Sequence, residues 1–203
     1  MTRRRKPKKK SSEHKKINIP IFLSVLTIHH YIPMSRGGVD SEKNTIEVYR
    51  CHHMAWHGLF KAGSYDLTPF EVMEVVKKKT FSQITKGKNV LELYWSIVFG
   101  MEIFHLEKKL IELEKMEGEG IDINKDRRAN RVVYFLMDYL IKNEGIKRGA
   151  YNPSELKNIL KEILNYKKIK IIENFWLPEK EEDRNFISDN PVTKIPDYLE
   201  FFK

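Results

Sequence analysis

Only one cysteine, Cys51, occurs in 203 residues, which excludes an internal disulfide framework and any Cys-rich structural zinc module. Long apolar runs are missing as well. The densest, Leu93 to Phe104, is broken by Glu102 and falls short of membrane-spanning length. Ile19 to Ile28 follows a charged segment as a secretory signal would, but Pro20 interrupts it. No small-residue cleavage site follows, and His29-His30 come next, so a cytoplasmic protein is expected. Internal repeats are absent. Outside the N-terminus there is almost no net charge. The total is +9, but Arg3, Arg4, Arg5, Lys6, Lys8, Lys9, Lys10, Lys15 and Lys16 against Glu13 account for +8 of it within residues 1–16.

What is present is a nearly neutral body with a basic arm. With 41% hydrophobic and 32% charged residues the body can bury a core beneath a large solvated surface, in one domain or one small domain plus an extension. The arm, 1–16, has no apolar periodicity and is expected to be disordered when free. Its cations, Arg3, Arg4, Arg5, Lys6, Lys8, Lys9 and Lys10 foremost, are candidates for salt-dependent contact with nucleic-acid phosphates. A solubilising tail or a localisation signal is the alternative.

The chain after the arm predicts an α+β protein that is mostly α. Ile21 to Ile32, rich in β-branched and aromatic residues, reads as a strand, and Thr45 to Arg50 as a second. Between them lies the loop Ser35-Arg36-Gly37-Gly38-Val39-Asp40-Ser41. His53 to Phe60 has helical spacing. Thr68-Pro69-Phe70-Glu71 is a capping box, and Leu67 with Val72 has the spacing of a hydrophobic staple. Helices are expected over Val90 to Met116 (one, or two joined near Gly100), over Ile123 to Asn143, and from Asn152-Pro153 onward. Ile169 to Trp176 reads as a strand, and 179–203 as a partly ordered tail docked by Tyr198, Phe201 and Phe202.

Five of the seven histidines fall between residues 29 and 57, where even scatter would leave about one. Metal binding is the usual cause of such clustering. His53 and His57, four apart on a helix, stand about 40° apart on one face, the geometry in which two imidazoles share an ion. His29 and His30 are neighbours on a strand and point to opposite faces, so if one is a ligand the other must do something else. His52 reads as a surface or supporting histidine, Cys51 as an inert buried thiol, and His105 as core or rim.

The stretch His29-His30-Tyr31-Ile32-Pro33-Met34-Ser35-Arg36-Gly37-Gly38, then Asn44, then His53-Met54-Ala55-Trp56-His57 resembles the HNH endonucleases. The order His, Asn, His is the family's, and the closing His-x-x-x-His is similar to that of the colicin DNases. The resemblance implies a small ββα-metal unit over about 26–61, in a nuclease domain spanning 17–80. A helical domain of unknown role would follow over 81–178. It implies His29, His53 and His57 as ligands of one divalent metal ion and His30 as the general base that activates water. Asn44 would be the residue tying the connecting loop to the first strand. Arg36 is a candidate phosphate clamp. Three neutral imidazoles favour Zn, Ni, Co or Mn over Mg. The implied activity is hydrolysis of DNA phosphodiester bonds. An RNA-cleaving nuclease and a catalytically weak metal-stabilised binding or assembly module are the alternatives. Many family members add a structural zinc on paired Cys-x-x-Cys motifs. Cys51 stands alone, so packing through Trp56, Phe60 and the later helices must stabilise the small unit instead. The helical region is also a candidate surface for a protein partner or self-association.

Overall fold

The computed structural model describes residues 25–189 apart from 63, 64, 88, 148 and 150. The basic arm and the aromatic residues of the C-terminal tail, Tyr198, Phe201 and Phe202, lie outside them. The described chain is α+β and mostly α: a two-stranded antiparallel sheet near its start, a two-residue hairpin, and helices thereafter.

Strand β1 (Leu26–His30) pairs with β2 (Thr45–Tyr49), with His29 opposite Ile46 and His30 opposite Thr45. Both are short β-branched segments, and strand alternation turns Thr27 and His29 to one face, Ile28 and His30 to the other. Helix α1 (Arg50–Leu59) follows β2 without a loop and buries Ala55, Trp56 and Leu59. A tight hairpin, β3 (Lys61–Ala62) and β4 (Tyr65–Asp66), then reverses the chain.

Helix α2 (Pro69–Lys78) starts as its sequence predicts. The Thr68 hydroxyl accepts from the Glu71 amide, and the Glu71 carboxylate accepts from the Thr68 amide at 2.8 Å; Leu67 and Val72 are both buried. A short helix α3 (Phe81–Ile84) leads to α4 (Glu92–Phe99) and α5 (Met101–Gly118). These are two helices rather than one because Gly100 takes φ +89. Helix α6 begins at Arg127, four residues later than Ile123, because Asp126 caps it by accepting from the Arg128 and Ala129 amides. It runs to Glu144 and stops at left-handed Gly145. Helix α7 (Pro153–Phe175) is started by an Asn152/Glu155 capping box.

Two expectations are corrected here. Ile169 to Trp176 is no strand but the last turns of α7. The buried positions Leu156, Leu160, Leu164, Lys168 and Ile172 recur every four residues, and that period prevails over the β-branched run. His105 is exposed, neither core nor rim.

Helices α5 and α7 run antiparallel, stitched by Glu117–Lys157, Glu114–Lys161 and a buried pair, Glu107–Lys168, at 3.1 Å. Desolvation pushes the Glu107 carboxyl up. One core runs from Ala55 and Trp56 through Trp95, Phe99 and Leu110 to Leu160, Ile172 and Trp176, passing across residue 80 without a break. Close approach of α1 to α4 depends on Gly58, where a Cβ would sit 2.6 Å from the Tyr94 ring. A satellite cluster packs α8 (Glu181–Asp189), through Ile187 and Phe186, on Tyr31 and Ile32 just beyond β1. Among the described residues no helix is long and apolar enough to cross a membrane.

Candidate metal centre

Strand β1 and helix α1 bring three of the five clustered histidines together. His29, His53 and His57 each offer a ring nitrogen, and these atoms lie within 4.8 Å of one another. Ring centroids are 5.1 Å apart for His29–His53, 5.2 Å for His29–His57 and 4.7 Å for His53–His57. The cause is local: a strand face ending in His29 lies against a helix that starts immediately after the partner strand and carries histidines one turn apart.

His29 is only 2% exposed, and neither of its ring nitrogens has a hydrogen-bond partner. Leaving such groups buried and unpaired is costly, whereas a metal ion would satisfy one lone pair directly. Burial, then the proximity of His57, His53 and His30, drives the His29 pKa from 6.5 down to about 2, so this imidazole is neutral and its lone pair free. Burial and His57 likewise lower that of His53. Three converging imidazoles, with that of His29 neutral and unpartnered, fit a borderline-soft divalent ion. His53 and His57 are only half-buried, which leaves the cluster an open side.

The Nδ1 atoms of the two helical histidines each have a polar neighbour. Thr27 Oγ1 lies 2.9 Å from His53 Nδ1, and Asp66 Oδ1 lies 2.8 Å from His57 Nδ1. Two indoles wall His29: Trp56 of α1 at 5.8 Å between centroids and Trp176, just after α7, at 5.1 Å. The packing role expected of Trp56 and Phe60 is met, since both are fully buried, against Trp95, Phe99 and Trp176.

His30 stands outside the triad, on the other face of β1, with Nε2 3.4 Å from Asp40 Oδ1 in the following loop. It is near enough for its charge to act on His29 and His53. Asn44 is completely buried. Its Oδ1 accepts from the Ile32 amide at 2.8 Å, while Nδ2 donates to the Ile32 carbonyl at 3.0 Å and to the Val39 carbonyl at 2.8 Å. It therefore clasps both ends of the loop that follows His30. Gly38 is required there, because a Cβ would fall 1.9 Å from the Ile32 carbonyl oxygen.

Arg36 differs from its expected role. It is 2% exposed, and its guanidinium donates two hydrogen bonds to Glu71, at 2.5 and 2.8 Å, and one to the Asp66 carbonyl at 3.2 Å. A buried guanidinium chelated by a carboxylate is in no position to clamp a phosphate, so Arg36 is a structural residue. His52 is half-buried and takes no part in the triad; Cys51, whose sulfur lies 3.5 Å from it, is half-buried rather than the buried thiol expected.

Thr27, Asp40, Asp66 and Trp176 are site residues that sequence reasoning misses. Thr27 had a signal, since it shares a strand face with His29. Asp66 and Trp176 had none, because only tertiary packing brings them in. Compared with protein-family models, with curated proteins and with solved structures, the chain matches none.

Proposed function

We propose that the chain is a metal-dependent endonuclease of the HNH type, hydrolysing DNA phosphodiester bonds. The observation that carries this reading is the convergence of His29, His53 and His57 between one strand and the helix after its partner, with His30 beside them and not among them. A divalent ion bound by the triad would supply Lewis-acid contact to a phosphate oxygen and stabilisation of the leaving oxygen.

The chain's own groups account for the rest. His29, His53 and His57 bind the ion as neutral imidazoles, a donor set favouring Zn, Ni, Co or Mn over Mg. His30 takes the proton of the attacking water as general base, with the Asp40 carboxylate 3.4 Å from its Nε2. Asn44 fixes the loop that carries Asp40 relative to the end of β1. The basic arm, Arg3 to Lys10, adds affinity for the phosphate backbone without reading sequence. The choice of DNA over RNA rests on the HNH resemblance, and the proposed setting is the cytoplasm, where the lone thiol of Cys51 stays reduced.

The test is cleavage of supercoiled plasmid by metal-stripped protein, with Mg, Mn, Ni, Co and Zn restored one at a time and His30→Ala in parallel. The expected result is cleavage that requires a metal and disappears in the variant, which still binds the metal. No cleavage with any metal, by protein that binds one tightly, would overturn the nuclease reading.

A further inference from the structure

The Nδ1 atoms of His53 and His57 each face a polar neighbour that bears on which ring nitrogen carries the proton. A neutral imidazole donates through one nitrogen and accepts through the other. Asp66 Oδ1 is buried and lies 2.8 Å from His57 Nδ1, and a carboxylate oxygen only accepts, so a proton on Nδ1 of His57 faces an acceptor. Thr27 Oγ1 lies 3.3 Å from the Val48 carbonyl and 2.9 Å from His53 Nδ1, so a hydroxyl that gives its proton to Val48 accepts from His53 with the ring proton on Nδ1. Both assignments leave Nε2 deprotonated, the state that ligates a metal.

Asp66 is itself held from two directions. Its strand β4 pairs with β3 directly after α1, with Asp66 opposite Lys61. Its backbone carbonyl accepts from Arg36, whose guanidinium is fixed by Glu71 at the start of α2. A chain of contacts thus runs from the capping box of α2 through Glu71, Arg36 and Asp66 to His57. This gives the buried arginine of the Ser-Arg-Gly-Gly loop a purpose that its sequence context does not suggest.

We propose that Asp66 and Thr27 are positioning residues for a divalent metal ion, each holding the proton on Nδ1 of one histidine so that Nε2 of His57 and of His53 is the ligating atom. Asp66 does so as the end of a brace anchored by Arg36 and Glu71. The inference rests on the metal half of the proposed function and needs no cleavage.

The experiment measures Zn(II) affinity of the full chain by competition with a chromophoric chelator, together with melting temperature in excess EDTA and in Zn(II). The variants are Asp66→Ala, Asp66→Asn, Thr27→Val and His57→Ala. Asp66→Ala and Thr27→Val should each weaken Zn(II) binding roughly 10- to 100-fold, the usual effect of losing such an outer partner. Asp66→Asn keeps an acceptor for the Nδ1 proton and should recover most of the loss. In EDTA Thr27→Val and Asp66→Asn should melt close to the parent protein, and only the increment gained from Zn(II) should shrink. Unchanged Zn(II) affinity in both Asp66→Ala and Thr27→Val would overturn the proposal. So would a drop in melting temperature as large in EDTA as in Zn(II) across all the Asp66 and Thr27 variants, which would make the two residues merely structural. If His57→Ala also binds Zn(II) as tightly as the parent, the metal site itself is wrong and the proposal falls with it, which separates the two failures.

Discussion

Trp176 stacks on Trp56, ring centroids 4.1 Å apart and planes 24° from parallel, and meets the His29 ring nearly at right angles, at 82°. One indole belongs to the helix that carries His53 and His57, the other to the residue after the last turn of α7. The helical region is thereby part of the histidine site. Removing so large a buried side chain costs about 3–5 kcal/mol. Trp176→Ala should therefore lower the urea midpoint of the whole chain and quench or shift tryptophan fluorescence. Trp176→Phe should lose only a fraction of that. A fragment ending before α7 should not unfold cooperatively at all. An unaltered midpoint in Trp176→Ala would mean that the two parts are energetically independent.

Arg36 separates two roles by a different readout. As a phosphate clamp its loss would weaken nucleic-acid binding and leave folding intact. As the buried partner of Glu71 its loss strands a carboxylate in a site where that group is only 12% exposed. Breaking one half of a buried pair costs on the order of 3–5 kcal/mol. Arg36→Ala should melt early in the absence of any nucleic acid, and removing the stranded charge with Arg36→Met/Glu71→Leu should restore part of the loss. Normal melting of Arg36→Ala, with nucleic-acid binding lost, would return the residue to the clamp role.

The contrast between these two residues marks where sequence reasoning reached and where it stopped. The triad was legible because its geometry is local: strand alternation separates His29 from His30, and a four-residue helical step aligns His53 with His57. The start of α2 was legible for the same reason, being written in capping preferences, whereas at Gly100 the sequence left one helix or two open. Arg36 was misread because an arginine beside two glycines looks solvated, and its burial depends on Glu71 across the chain. The end of α7 was misread because Lys168, buried against Glu107, occupies an apolar position and hides the helical period. Asp66 and Trp176 carry no local signature at all; their roles exist only once the hairpin and α7 have folded back onto α1.

The depressed pKa of His29 has a consequence for stability that needs no metal. In the folded protein the group titrates near 2, against 6.5 in the unfolded chain. Below pH 6.5 the unfolded state therefore binds a proton that the folded state refuses. Stability is complete above that pH and falls as pH drops, by up to about 1.4 kcal/mol for each pH unit from this one group. His53, also lowered, acts in the same direction. In EDTA, the urea midpoint should hold steady between pH 8 and 7 and then decline toward pH 5, before most carboxylates begin to titrate. His29→Leu, which keeps an apolar body of similar size against Trp56 and Trp176, should flatten most of that slope. A parent protein whose midpoint does not move between pH 7 and 5 would show that the His29 imidazole takes up a proton as readily in the fold as in the unfolded chain, so that its burial does not depress its pKa.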